Sequence, residues 1–195
     1  MLSADEAKRL LISADQIYSA AEVAQAVGRL ADEISVRLAD RLPLVLSVMG
    51  GSVVFTGQLL PLLNFPLDFD YIHVSRYGDA THGGAIHWKV GPRDIVADRV
   101  VLVLDDILDE GQTLAAVRSR ILQAGAREFY SAVFADKDIG RSKPIRADFV
   151  GLRVPDRFVF GFGMDVNGAW RNLPAIYALQ EAGDENIGSG ARGTG

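Results

Sequence analysis

The chain has 195 residues, of which 49% are hydrophobic and 23% charged, with a formal net charge of −5 and no cysteine. That length and composition suit one soluble domain able to bury a core of its own. The missing cysteines exclude disulfides, thiolate catalysis and cysteine-ligated zinc, and basic residues scattered singly among acids argue against a nucleic-acid-binding face.

Residues 3–40 read as helical. Ser3-Ala4-Asp5-Glu6 resembles a capped start, and a second helix is predicted from about Ser19, with Glu22 three residues on as a capping box. Val23, Val27, Leu30, Ile34 and Leu38 give that helix one apolar face. Pro43 to Val48 is nearly all apolar, as in a strand buried on both sides. Met49-Gly50-Gly51 stops it, and Ser52 to Leu63 is predicted as a helix. Leu67 to Ser75 reads as a strand, Tyr77 to Gly84 as a polar loop, and Ala85 to Val90 as a hairpin strand.

Val100 to Leu104 is the clearest buried strand, followed by a helix over Thr113 to Gln123 that ends near Gly125. Further strands are expected at Phe129 to Ala135 and at Phe149 to Leu152, with irregular structure over 154–177. The alternation predicts an α/β fold, a mainly parallel central sheet flanked by helices. Residues 1–181 are expected to form one domain and 182–195 a disordered tail. Met1 to Arg9 lacks the apolar centre of a signal peptide, and no run approaches the roughly 18 apolar residues of a membrane span. The expected location is cytoplasmic, with no membrane partner. His73, His82 and His87 lack metal-like spacing and read as surface or loop residues.

The stretch Val100-Val101-Leu102-Val103-Leu104-Asp105-Asp106-Ile107-Leu108-Asp109-Glu110-Gly111-Gln112-Thr113 carries the chemistry. A buried strand leads into paired acids, then a glycine turn, then a helix. Ligands of open parallel sheets bind beyond the carboxyl ends of the strands. Gly111 permits positive φ and close backbone approach. Successive N–H groups over 109–113, with the Thr113 hydroxyl, can hold a phosphate at the helix start. Asp105 and Asp106 are placed to accept ribose hydroxyls or to assist a hydrated magnesium ion.

This string closely resembles the phosphoribosyl-pyrophosphate motif of the type I phosphoribosyltransferases, and matches over roughly 43–177 resemble the hypoxanthine-guanine branch. The resemblance implies the type I phosphoribosyltransferase fold, with a small purine-binding hood formed mainly by about 136–177. It implies an enzyme that transfers the phosphoribosyl group from phosphoribosyl pyrophosphate (PRPP) to hypoxanthine or guanine with Mg2+. Its partners would be PRPP, a 6-oxopurine, a nucleoside monophosphate and pyrophosphate, and the enzyme a dimer or tetramer of like chains.

Carried over residue by residue, Asp105, Asp106, Asp109, Glu110, Gly111, Gln112 and Thr113 would bind the 5′-phosphate and ribose, and Asp109 would be the catalytic base near purine N7. Met49, Gly50 and Arg171 would bind pyrophosphate. Ser75, Arg76 and Tyr77 would begin a flexible loop that closes over the reacting centre. Lys137 would donate to the 6-oxo group, Phe158 would stack on the base, and Val159 and Asp165 would meet its edge. Asp165, Asp105 and Asp106 would serve the metal. Lys137 weighs against adenine, whose amino group is itself a donor. A xanthine-preferring transferase and a PRPP-sensing regulator are the alternatives.

Overall fold

A computed structural model describes residues 2–77 and 85–180. The side chains of Arg76, Tyr77 and Ala85 are not among what it describes. Most of the expected loop over 77–84 and the expected tail over 182–195 lie outside the described residues.

The first helix, α1 (Ala4–Ser13), is followed by a short strand, β1 (Asp15–Tyr18), before the long helix α2 (Ala20–Leu38). Residues 3–40 are therefore not helical throughout. Ser19 caps α2 as predicted: Glu22 N–H donates to Ser19 Oγ (3.3 Å), and Ser19 N–H donates to Glu22 Oε2 (2.8 Å). Val23, Val27, Leu30, Ile34 and Leu38 are all buried. Fully burying one such side chain contributes about 1.5–3 kcal/mol, so this face holds α2 against the sheet.

Strand β2 (Leu44–Met49) enters helix α3 (Val53–Leu59), which is shorter than expected and gives way to a 3-10 turn at Leu60–Leu62. Pro61 lacks the N–H that an α-helical continuation would use. The antiparallel pair β3 (Asp68–Tyr77) and β4 (Ala85–Val90) follows, and β3 runs two residues beyond the predicted end. Strand β5 (Val100–Leu108) extends four residues past Leu104, taking both acids into the sheet. Helix α4 (Gln112–Gln123), β6 (Glu128–Lys137) and β7 (Phe149–Val154) complete the main body.

The six-stranded sheet has the order β4-β3-β2-β5-β6-β7, with every neighbouring pair parallel except β3 and β4. Side chains alternate across it. Val100, Leu102 and Leu104 join the core under α2 and α3, while Val101 and Val103 join the core under α4. Because the connections leaving β2 and β5 pass over opposite faces, these two connections diverge at the carboxyl ends of adjacent strands. That divergence is the crevice in which open α/β sheets bind ligands.

A second sheet has the order β1-β9-β8, from Asp15–Tyr18, Ile176–Ala178 (β9) and Val159–Phe160 (β8), all antiparallel. Residues 154–177 are thus mostly turns but begin and end in strand. The Arg157 guanidinium fastens the small sheet, donating to Asp15 Oδ2 (2.5 Å) and Leu179 O (2.7 Å). Its turn docks on the main body at Gly163 (φ 102°), where an added Cβ would overlap the Gly51 carbonyl.

Candidate active site

A cleft of about 540 Å³ opens at the carboxyl ends of β2, β3 and β5. It is lined by Met49, Gly50, Gly51, Ser75, the whole run Asp105 to Thr113, Asp165 and Arg171. The structure therefore brings together the residues predicted for phosphate, ribose and pyrophosphate. His73 lines this cleft from β3, half buried, which corrects its surface-or-loop reading, whereas His87 lies exposed on β4, as a surface residue. His82 lies outside the described residues.

Two backbone turns form the cleft floor. After β5, Gly111 takes the N-cap of α4 at φ 84°, a conformation natural to glycine. Ala115 N–H is the first to bond back along the helix, to Gly111 O (3.0 Å). The amides before it belong to the end of the helix that attracts anions. After β2, the Met49–Gly50 peptide is cis. A chain of buried hydroxyls underlies that turn: Ser52 Oγ donates to Val48 O (2.6 Å), Ser47 Oγ lies 2.7 Å from Ser52 Oγ, and Thr56 Oγ1 lies 2.9 Å from Ser47 Oγ. Since each hydroxyl has one proton, donation runs from Thr56 to Ser47 to Ser52 to the Val48 carbonyl.

The two acids of β5 share the cleft wall. Burial, and then the neighbouring Asp106 carboxylate, push the Asp105 carboxyl well above the usual range. Burial raises Asp106 too, opposed by hydrogen bonds from Asp105 and the Ile107 amide and by the Arg171 charge. A Cβ on Gly51 would fall inside the Asp106 carboxylate. The missing methyl is what lets the acid lie against the Met49-Gly50-Gly51 turn.

From the hood, Arg171 donates to Gly163 O (2.6 Å) and pairs with Asp165 Oδ1 (2.5 Å), while Asp165 Oδ2 accepts from Gly168 N–H (2.6 Å). At the end of β6, Lys137 Nζ lies 3.2 Å from Asp109 Oδ2. Lys137, Phe158 and Val159 do not line the cleft itself. Val159 is buried in β8, whereas Phe158 is 51% exposed, an aromatic face open to a partner.

Sequence reading overlooked Gly51 and Gly163 as a docking pair, the hydroxyl chain, and Lys143, whose ammonium sits at the ends of β5 and β6. The Gly161-Phe162-Gly163 spacing hints at a tight turn. Lys143 stands in a charged stretch that no local pattern distinguishes from solvated surface.

Comparison with known proteins places these features in a family. The phosphoribosyl transferase domain model matches residues 13–167. The hypoxanthine-guanine phosphoribosyltransferase of Bacillus subtilis is 33% identical over 167 residues, covering 85% of this chain and 93% of the relative. A crystal structure of a Bacillus anthracis hypoxanthine-guanine phosphoribosyltransferase superposes with a TM-score of 0.79 at 27% identity, covering 85% of this chain and 98% of that one. A Trypanosoma cruzi hypoxanthine phosphoribosyltransferase complexed with its product IMP superposes with a TM-score of 0.77 at 26% identity, covering 86% and 92%.

Proposed function

The chain belongs to the phosphoribosyl transferase family and to its hypoxanthine-guanine branch, and from that premise we propose how its residues divide the work. The protein is a purine-salvage enzyme: it transfers the 5-phosphoribosyl group from PRPP to hypoxanthine or guanine, giving IMP or GMP and pyrophosphate.

In our reading the 5′-phosphate sits on the turn from Asp109 to Thr113, held by amides at the start of α4 and by the Thr113 hydroxyl. The ribose hydroxyls face Asp105 and Asp106. Pyrophosphate lies between the Met49-Gly50 turn and Arg171, whose forked cation suits it. As the bond from C1′ to pyrophosphate breaks, purine N9 bonds to C1′, and the N7 proton passes to the Asp109 carboxylate. Such base assistance is typically worth about 10²–10⁴-fold. Phe158 stacks on the base, with Val159 and Asp165 at its edge. Ser75, Arg76 and Tyr77 lead into the segment that would exclude water from the reacting centre.

The observation that carries this reading is the 3.2 Å pair of Lys137 and Asp109. O6 and N7 are neighbours on one edge of a 6-oxopurine. An ammonium donor beside a carboxylate acceptor matches O6 and N7–H of that edge, and would meet the adenine amino group donor to donor. Neither residue reads position 2, so xanthine belongs in any substrate test.

Hypoxanthine-guanine phosphoribosyltransferases use magnesium with PRPP. The donor set here fits it: Asp105 and Asp106 are hard oxygen ligands, and among the described residues no cluster of three or more His, Cys, Asp or Glu could hold a metal alone. Magnesium commonly takes one or two carboxylates and fills the rest of its shell with substrate oxygens and water. Asp105 and Asp106, with Asp165 nearby, would hold it, and when bound it would neutralise charge on the departing pyrophosphate.

No helix among the described residues is long and apolar enough to cross a membrane. We place the enzyme in the cytoplasm, where its cysteine-free sequence and soluble substrates are at home. We also assign it a dimer or tetramer of like chains; Phe69 and Tyr71, 46% and 42% exposed on one face of β3, offer apolar surface for it.

The test is an absorbance assay with magnesium, PRPP and each of hypoxanthine, guanine, xanthine and adenine. Turnover of hypoxanthine or guanine that a chelator abolishes is the expected result. PRPP binding without turnover of any base would leave a sensor instead.

A further inference from the structure

Lys143 lies between β6 and β7, outside every motif above. Its side chain is only 10% exposed. The ammonium donates to Leu108 O (2.6 Å), to Asp136 Oδ1 (2.6 Å) and to Lys137 O (2.5 Å). Three protons meet three acceptors, which fills the group's capacity. Leu108 and Asp136 are register partners on neighbouring parallel strands. One carbonyl therefore belongs to the peptide that leads into Asp109, and another to Lys137 itself. The stem of Lys143 also lies beside the turn at Gly111, where an added Cβ would stand 3.3 Å from Lys143 Cβ and 3.3 Å from Pro144 Cδ.

We propose that Lys143 is a positioning residue that clamps the ends of β5 and β6, so that Asp109 and Lys137 meet the purine edge at one spacing. Strand ends splay where their ladder stops, and the last backbone groups lose their partners. A buried ammonium bonded to a carbonyl on each strand replaces the missing rung. The Asp136 carboxylate pairs with that ammonium at 2.6 Å and holds it in place. The inference rests on the roles given above to Asp109 and Lys137. If Lys143 served only to neutralise Asp136, removing both charges together would leave catalysis unchanged.

The probe is the double variant Lys143→Met/Asp136→Asn, which abolishes the clamp without leaving a carboxylate unpaired and without changing net charge. Turnover of radiolabelled hypoxanthine, which registers slow reactions, is measured in the otherwise native enzyme and in an Asp109→Asn background, with the melting temperature of each. The expected result is a fall in kcat/KM of about 10-fold or more in the native background, since small misplacements at a reacting centre are costly. In the Asp109→Asn background the fall should be clearly smaller, because a base already removed cannot be misplaced and only the alignment of Lys137 is left to lose. An unchanged rate in the native background, or the same fold loss in both backgrounds, overturns the clamp. Native turnover by Asp109→Asn alone would instead overturn the base assignment, and the clamp with it. Should the double variant not fold, Lys143→Gln, which keeps two uncharged donors, is expected to show the same dependence on background.

Discussion

The Lys137 ammonium stands 3.2 Å from the Asp109 carboxylate, joining the end of β6 to the residue that follows β5 and lines the cleft. The lysine side chain is 12% exposed and the aspartate 51%. The cation is thus packed into the protein while its partner is presented to an incoming ligand.

Asp109→Asn should lower kcat about 10²–10⁴-fold, the span of general-base assistance. It should leave the Kd for PRPP, measured by calorimetry, within about 3-fold, because in the proposed reading the 5′-phosphate is held by the amides at the start of α4 and the Thr113 hydroxyl rather than by the Asp109 carboxylate. Parallel losses in kcat and in PRPP affinity would move Asp109 from the chemistry to binding.

Lys137→Met removes the ammonium proposed above as donor to the 6-oxo group. A hydrogen bond to a charged group contributes about 1.5–3 kcal/mol, so kcat/KM for hypoxanthine should drop about 10–100-fold. PRPP binding should be little changed. If hypoxanthine turnover survived intact, the base would have to be read elsewhere.

Two glycines should respond to alanine in opposite directions. Gly163 has φ 102°, and an added Cβ there would overlap Gly51 O. Gly163→Ala should destabilise by about 2 kcal/mol or more, through strain at positive φ and undocking of the hood. Gly28 lies inside α2 with nothing within 4 Å of an added Cβ. Gly28→Ala should stabilise by about 0.5–1 kcal/mol. Thermal denaturation of both proteins reads the two signs, and a Gly163→Ala protein as stable as the native one would show that the hood does not dock tightly at this point.

The Arg93 guanidinium beside Asp70, opposed by burial and helped by the Tyr71 amide, holds the Asp70 carboxyl below its ordinary range. A carboxylate with a lowered folded-state pKa contributes stability that is fully present above its unfolded pKa of about 3.9. That contribution is lost as pH falls through the lower folded value. Asp70→Asn should therefore be less stable than the native protein at pH 7, by about 1–3 kcal/mol for the lost charged hydrogen bonds. The gap should close below about pH 4. A difference in melting temperature that stays constant from pH 7 to pH 3 would count against this linkage.

Much of the fold was legible because its signals are local. The Ser19–Glu22 cap, the apolar stripe of α2 and the uniformly apolar start of β5 depend on residues a few positions apart. The motif from Asp105 to Thr113 is likewise continuous, and the structure places all of it on one cleft. Residues Asp15–Tyr18 were misread for the opposite reason. Their partners in β9 lie about 160 positions away, and an isolated four-residue segment carries no periodicity that separates strand from helix.

The order of the main-sheet elements from β2 to β7 and the run of acids and glycine turn that ends β5 are written in local sequence, because an apolar run, adjacent acids and a glycine turn act through the chain's own neighbours. Folding alone brings Gly51 close enough to make room for Asp106, seats the turn at Gly163 and carries Lys143 to the ends of two strands. Those relations hold between segments that the chain brings together only when the sheet closes. Their energy comes from close packing and desolvated hydrogen bonds, which no spacing along the chain encodes.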